Sequence, residues 1–263
     1  NQSNYRWRPY QGPITSSSIR GPIGDNTSQN GIYLVAIPPI DNVNESAWVE
    51  SNCISLGSLE RPMLSYYLHL FGSDINGFSL DVFDGEKWNM DVDRFTSQIQ
   101  TGSFEPYERR LINLSSMQDE TIKLRFRTSR VSFRAGPAVD DISIFNGSLL
   151  NSMNVSTQCV STSKLPVKVL LENLFNDTLN LDSLTIRYQL NSQSVFTDTL
   201  TGSLVFGDSL WYTFSDSIDP ALFMGPIELN VFASYNSNGS VKTDSILGYE
   251  VQNPNNSNYL KED

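Results

Sequence analysis

The sequence has very little of what most catalytic sites require. His69 is the only histidine among 263 residues, so a zinc site of the His-Glu-x-x-His type cannot be built. A Ser–His–Asp triad would have to use His69, which we expect to be a solvated or hydrogen-bonded strand residue, and no Gly-x-Ser-x-Gly elbow accompanies it. Gly-rich phosphate-binding loops are absent too. We therefore predict that the chain is not an enzyme, although abundant Asp and Glu leave paired carboxylates for glycoside cleavage open.

Cysteine and positive charge are also scarce. Cys53 and Cys159 lie far apart in the sequence, and we expect two buried small apolar side chains rather than a disulfide. The net charge is −11 and the isoelectric point is near 4.5, which argues against nucleic acid and anionic membranes as partners. No apolar run approaches the roughly 18 residues of a membrane helix, so membrane insertion is not expected.

Strand-like patterns fill the chain. Short runs of Val, Ile, Leu, Phe and Tyr alternate with polar residues and end at Gly, Pro, Asn or Asp, which is typical of all-β proteins. A polar, aperiodic segment at residues 146–163 predicts a connection between two domains. We expect domains at 1–148 and 149–252, followed by a linker or tail at 253–263.

Two distant segments are expected to meet in space. Residues 21–25 form a Gly-Pro-Ile-Gly-Asp turn, and residues 138–144 form an apolar and acidic closing strand. If that strand buries Val139 and Asp141 on one face, the carboxylate needs a partner, because an unpaired buried charge is costly. A cation shared with Asp25 would supply one.

The first half of the chain resembles a MAM domain. Trp7, the turn at 21–27 and Gly-Ile-Tyr at 31–33 are similar to the opening of that family. The segments at 47–51, 64–72 and 78–82 follow in the family's order, and Gly-Pro-Ala-Val-Asp-Asp-Ile at 136–142 looks like its closing strand. The resemblance covers residues 1–147.

This resemblance implies a jelly-roll β-sandwich of a secreted or cell-surface protein, used for adhesion and assembly rather than chemistry. It also implies a cation between the N-terminal region and the closing strand. Carried over to this sequence, the metal ligands would be Asp25 and Asp141, with Asp140 as their neighbour, and calcium would suit such oxygen donors. The alternative is that Asp25 caps its turn and Asp140 faces water.

Residues 160–252 resemble the immunoglobulin-like CARDB-type modules of bacterial surface proteins. The similarity rests on the spacing of segments at 171–173, 184–191, 202–208 and 225–231. Asp followed by Ser or Thr recurs in this half, and such pairs favour turns and strand edges. The same pattern resembles the O-glycan acceptor motif of bacteria that use type IX secretion. The candidate acceptors are Thr178, Ser183, Thr199, Ser209, Ser217 and Ser245.

Tryptophans offer the clearest candidate for ligand binding. Trp7, Trp48, Trp88 and Trp211 could stack on sugars, although a tryptophan in a sheet is more often part of the core. Trp88 is the exception we favour, because residues 84–88 are predicted to form a hairpin tip. The sequence thus predicts a non-catalytic adhesion region of a secreted or surface protein, whose partner is a protein, a glycan or a neighbouring domain. The alternatives are a carbohydrate-binding module and the ancillary C-terminal region of a secreted peptidase.

Overall fold

The regular structure of the chain is mainly antiparallel strand, in a computed structural model that describes residues 5–14, 19–38, 45–131, 134–155, 164–175, 178–237, 240–251 and 253. The chain divides into two compact units, unit 1 at Asn1–Asn146 and unit 2 at Gly147–Asp263. Three short 3-10 helices, Ser115–Met117, Leu181–Ser183 and Pro220–Leu222, complete it. Within these ranges no helix is long or apolar enough to span a bilayer.

Unit 1 contains two sheets. The first has the strand order β1-β2-β10-β5-β8. Its strands are β1 (Trp7–Gln11), β2 (Ile32–Ala36), β5 (Pro62–His69), β8 (Glu108–Asn113) and β10 (Ala138–Asn146). The second has the order β3-β9-β6-β7, with β4 paired to β9. Its strands are β3 (Glu45–Glu50), β4 (Ile54–Ser55), β6 (Phe78–Phe83), β7 (Trp88–Phe95) and β9 (Thr121–Val131).

The core of unit 1 lies between these sheets. Tyr66 of β5 meets Phe126 of β9 edge to face, with ring centroids 5.2 Å apart, and Trp7 of β1 contacts Phe78 of β6 in the same way. Strand β5 is buried along both faces, because a second, smaller apolar cluster built around Tyr33 and Tyr107 covers its other side. The sequence of β5 alternates between apolar and polar residues, but the strand lies inside its sheet and both of its faces are covered.

Unit 2 also contains several sheets. A three-stranded sheet has the order β11-β12-β17, from β11 (Leu150–Val155), β12 (Leu165–Glu172) and β17 (Ser209–Ile218). A four-stranded sheet has the order β15-β14-β18-β19, from β14 (Thr185–Leu190), β15 (Ser194–Thr199), β18 (Ile227–Ser237) and β19 (Ser240–Val251). Short strands β13 (Leu179–Asn180) and β16 (Ser203–Leu204) form a separate pair.

Aromatic rings from both larger sheets share the core of unit 2. Tyr188 of β14 lies 4.9 Å from Phe214 of β17 between ring centroids. The antiparallel strands and the sandwiched cores confirm the predicted all-β sandwich class. Cys53, in contrast, is exposed and free instead of buried, because it lies between two strands on the surface of unit 1. Cys159 lies outside the described residues.

Candidate functional site

The Asp25 turn meets the closing strand β10, as the sequence predicted. The backbone N–H of Asn26 donates to Asp140 Oδ2 at 2.8 Å. The side chains of Asn26 and Thr27 donate to Asp141 Oδ2 at 2.9 and 2.8 Å. We call these five residues, Asp25, Asn26, Thr27, Asp140 and Asp141, the clasp. It joins parts of unit 1 that are 114 residues apart in the sequence.

Asp25 is the buried member of the clasp and organises its own turn. Its carboxylate accepts the backbone N–H groups of Ser28 at 2.9 Å and Gly31 at 2.5 Å. A Cβ at position 31 would lie 2.8 Å from Asp25 Oδ2, so any other residue there would displace the carboxylate that holds the turn. Although burial opposes it, these donors hold the pKa of Asp25 below its usual value. This is the turn-capping role that the sequence left as the alternative.

The faces of β10 differ from the predicted alternation. Val139 is buried, but Asp141 is exposed and Asp140 is half-buried. The cause is a β-bulge after Asp140 in the pairing with β5, where Asp141 adopts a φ of 45°. Burial raises the pKa of Asp140, and the negative charges of Asp141 and Asp25 raise it further. The hydrogen bonds from the backbone of Asn26 and Asp141 oppose this effect. Negative charge is therefore concentrated at the clasp.

The clasp has the type of oxygen atoms that bind calcium, but their arrangement is not that of a metal site. All three carboxylates offer hard oxygen atoms. Both oxygens of Asp25 already accept hydrogen bonds from Ser28 and Gly31, and one oxygen of Asp141 accepts two more. In the part of the chain that the structure describes, no three His, Cys, Asp or Glu side chains form a metal-binding group. The carboxylates hold the turn by hydrogen bonds, and calcium stays a prediction.

A small cavity of about 180 Å³ adjoins the clasp. Asp25 and Asn26 line one side and residues 103–107 line the other. The Tyr107 hydroxyl donates to the carbonyl of Gly24 at 2.9 Å, which fastens the two sides together. Phe104, at the rim, is 84% exposed. The cavity is too small for a drug-sized ligand, which needs about 300 Å³ or more.

His69 is buried rather than solvated, which corrects that part of the expectation from the sequence. It is fully buried, and neither ring nitrogen meets a strict hydrogen-bond geometry within the described ranges, although the backbone of Gly102 and Glu105 is close enough to oppose the lowering of its pKa. The loop before Tyr107 covers it, and Gln100 fixes that loop by hydrogen bonds to Leu70 and Leu68. Burial lowers the pKa of His69 to about 4, so the imidazole is neutral near pH 7. A neutral ring without an oriented partner is a poor general base.

Trp88 is not the exposed tip residue that the sequence suggested. The hairpin turn ends at Lys87, whose carbonyl accepts the N–H of Asp84, and Trp88 begins β7. Its ring is half-buried beside Phe83, and the guanidinium of Arg125 lies 3.9 Å from the ring centroid. A ring covered in this way offers less surface to a ligand.

Arg125 belongs to an ion-pair network on the outer face of the second sheet. Arg125 and Arg127 both contact the fully buried carboxylate of Asp81, at 2.9 and 3.1 Å. The N–H of Asp91 donates to Asp81 as well, and Arg127 also pairs with the Asp91 carboxylate. Although burial opposes it, these contacts keep the pKa of Asp81 below its usual value. The network stabilises unit 1, and its charged groups are paired with one another.

The Asp-Ser and Asp-Thr pairs of unit 2 show structural roles for their acidic members. Asp198 accepts hydrogen bonds from Tyr212 and Ser215, and buried Asp244 accepts the N–H of Leu149 at 2.6 Å. Ser217 is half-buried, whereas the other candidate O-glycan acceptors are exposed: Thr178, Ser183, Thr199, Ser209 and Ser245. Whether any carries a glycan stays a prediction.

Trp211 is the exposed tryptophan that the sequence did not single out. It lies on the outer face of the three-stranded sheet and is 51% exposed, beside Asn154, Lys168 and Thr213. Alternation in β12 and β17 is the signal that could have found it: Lys168 lies between buried Val167 and Val169, which places it on the solvent face.

Comparisons with known proteins identify no family for this chain. No protein-family profile and no curated protein matches it. Among solved structures, a β-glucuronidase from Bacteroides uniformis has 9% identity and a TM-score of 0.34, covering 94% of this chain but 32% of its own. A cleaved adhesin domain of Lys-gingipain from Porphyromonas gingivalis has 12% identity and a TM-score of 0.34, covering 54% of this chain and 91% of its own. Identities this low name no activity or ligand for this chain.

Proposed function

We propose that this chain is a non-catalytic adhesion or interaction region of a larger secreted or cell-surface protein. The observation that carries the proposal is the set of large apolar side chains that both units expose. Trp48 of unit 1 is 61% exposed, and Leu222 of unit 2 is 78% exposed beside fully exposed Met224. Exposed aromatic and aliphatic side chains are what contacts between proteins use, although scattered single ones are ordinary.

The placement of the polar groups supports a contact role over catalysis. The clasp and the Asp81 network use their carboxylates as structural hydrogen-bond acceptors and ion-pair partners. His69 is buried and neutral. These groups stabilise the units, so they are not positioned to act on a substrate.

The MAM-like and CARDB-like assignments belong to this proposal. In it, unit 1 contacts a partner or a neighbouring module of the same polypeptide, and unit 2 acts as a spacer. Secretion by the type IX route and O-glycosylation of unit 2 are parts of the same hypothesis. A zinc-protease motif encoded beside this chain would instead support the alternative, that the chain is an ancillary C-terminal region of a secreted peptidase.

Adhesion of coated beads tests the proposal directly. Beads carrying the whole chain should bind bacterial or host cells saturably, and soluble chain should compete. Double substitution of Leu222 and Met224 by Ser probes the exposed loop without touching the core. Beads that bind no better than albumin-coated ones would reject the contact function.

Calcium at the clasp is a separate proposal, supported by the three carboxylates that the Asp25 turn and β10 contribute to the clasp. If the native state binds calcium, the melting temperature must rise with the ion and fall with chelator, because a ligand specific to the native state stabilises it. Magnesium at equal concentration is the control. A melting temperature that is the same in calcium and in chelator would exclude the site.

A carbohydrate-binding module is the second candidate function. The exposed ring of Trp211, with an amide, an amine and a hydroxyl beside it, favours this alternative. Unlike Trp88, no cation covers this ring among the described residues.

A further inference from the structure

We infer that the outer face of the β11-β12-β17 sheet binds a carboxylate-bearing sugar, stacked on Trp211 and paired with Lys168. This assignment rests on the second candidate function, carbohydrate binding, and names a ligand class for it. The side chains lie in an open depression of about 600 Å³ lined by Asn154, Lys168, Trp211 and Thr213. We call these four residues the Trp211 face.

Strand register makes the Trp211 face a flat array. Asn154, Lys168 and Thr213 are opposite one another on three adjacent strands. Trp211 is paired with Leu170 in the next such row along the sheet. Neighbouring strands are about 4.8 Å apart, so the three polar side chains span about 10 Å, roughly the length of two sugar rings. Strand pairing fixes this geometry in the backbone.

Trp211 supplies the apolar part of the contact. A pyranose ring presents C–H groups on its face and hydroxyl groups around its edge. The exposed indole can take the C–H face, since aromatic rings provide large apolar area with few rotatable bonds. Asn154 and Thr213 can then donate to and accept from the ring hydroxyls. Neither makes a side-chain hydrogen bond in the part of unit 2 that the structure describes.

Lys168 selects for a carboxylate. Among the described residues that line the depression it is the only charged one, and it makes no ion pair with any of the described acidic side chains. Two acidic groups on the surrounding strands are engaged elsewhere: Glu172 bonds to Asn151, and Asp198 bonds to Tyr212 and Ser215. Asp216 of β17 is exposed, so it is the acidic group that a ligand carboxylate would have to avoid. Although the chain has a net charge of −11, a lysine without an ion pair is a local positive site that can attract an anionic group of a ligand.

The other exposed tryptophan offers a contrast. Trp48 is opposite Arg127 across β3 and β9, and Arg127 is already paired with Asp81 and Asp91. A sugar carboxylate at Trp48 would therefore compete with two protein carboxylates. At the Trp211 face it would not.

Titration of the whole chain with two tetrasaccharides tests the inference. One probe alternates glucuronate with N-acetylglucosamine, and the neutral one contains N-acetylglucosamine alone. Isothermal calorimetry and tryptophan fluorescence should show saturable binding, tighter for the acidic probe and weakened by salt. Trp211→Ala should weaken binding about tenfold or more. Lys168→Gln should reduce the acidic preference about two- to fivefold.

Trp48→Ala is the matched control, since it removes an equally exposed tryptophan from the other unit and should leave both titrations unchanged. Absence of binding for both probes, or loss in Trp48→Ala rather than Trp211→Ala, would overturn the inference. Equal affinity for the two probes would overturn the carboxylate assignment. If titration fails while beads still adhere to cells, the Trp211 face is rejected and the contact function stands; if both fail, both are rejected.

Discussion

Trp88 and Trp211 lie on the outer faces of two sheets, one in each unit, and their surroundings differ. In unit 1, Arg125 covers the ring of Trp88 and also pairs with Asp81, so aromatic and charged groups satisfy one another. In unit 2, Trp211 is exposed and Lys168 has no ion pair among the described residues. A face whose groups satisfy one another stabilises its unit, whereas a face with unused groups can bind a ligand.

Removing the charge of Asp81 should have the largest effect. Asp81→Asn keeps the shape of the side chain but leaves Arg125 and Arg127 without their buried carboxylate, at a cost of about 3 kcal/mol in the free energy of unfolding. Lys168→Gln, the matched change on the Trp211 face, should cost less than about 0.5 kcal/mol. Urea unfolding measures both losses, with hydrogen exchange of the β6 and β9 amides for Asp81→Asn and of the β12 and β17 amides for Lys168→Gln. Equal losses of unfolding free energy in the two variants would show that the two faces do not differ in this way.

His69 should make the free energy of unfolding depend on pH, with an effect similar in size to that of Asp81→Asn. Its pKa is about 4 in the folded protein, against about 6.5 when unfolded. The folded state favours the neutral ring, so the contribution of His69 to the free energy of unfolding is fully present above about pH 6.5. This contribution is lost as the pH falls through about 4. The difference corresponds to about 3 kcal/mol.

His69→Leu should remove that dependence, and it should not destabilise the protein at pH 7, since it replaces two unpaired buried nitrogens with apolar atoms. The free energy of unfolding, measured from pH 7.5 to pH 4 in both proteins, isolates the histidine because the carboxylates are common to both. Parallel curves would show that the ring is solvated or paired.

The clasp should give a smaller effect. Asp25→Asn removes the charge that accepts the N–H groups of Ser28 and Gly31, and we expect a loss of about 1.5 kcal/mol. Because the pKa of Asp25 is lowered, its contribution is present above the ordinary carboxyl pKa and is lost as the pH falls through the lowered value.

Asp198→Asn is the control in unit 2, since Asp198 also accepts several hydrogen bonds but lies at the half-buried surface. It should cost less than Asp25→Asn. Hydrogen exchange of the residue 26–31 amides should quicken only in Asp25→Asn. If those amides exchange at the wild-type rate, the carboxylate does not hold the turn.

Local patterns predicted the strands, but not the contacts between distant ones. The alternation at β5 and β9 and the turn before Trp88 are properties of neighbouring residues, so the sequence contains them. The covering of Trp88 depends on Arg125, which arrives from another strand, and the burial of His69 depends on a loop anchored by Gln100. The bulge at Asp141 breaks the alternation from which its burial was predicted. Such partners are set by register and topology, which a single sequence does not display.

The clasp also constrains the order in which unit 1 can fold. Strand β10 pairs with both β2 and β5, and its acidic residues secure a turn near the start of the unit. During synthesis these contacts cannot form until the last strand has left the ribosome. Such distant pairings make folding slow, because the chain must lose loop entropy before they form. A nascent chain that stops before β10 would thus lack the strand that joins β2 to β5.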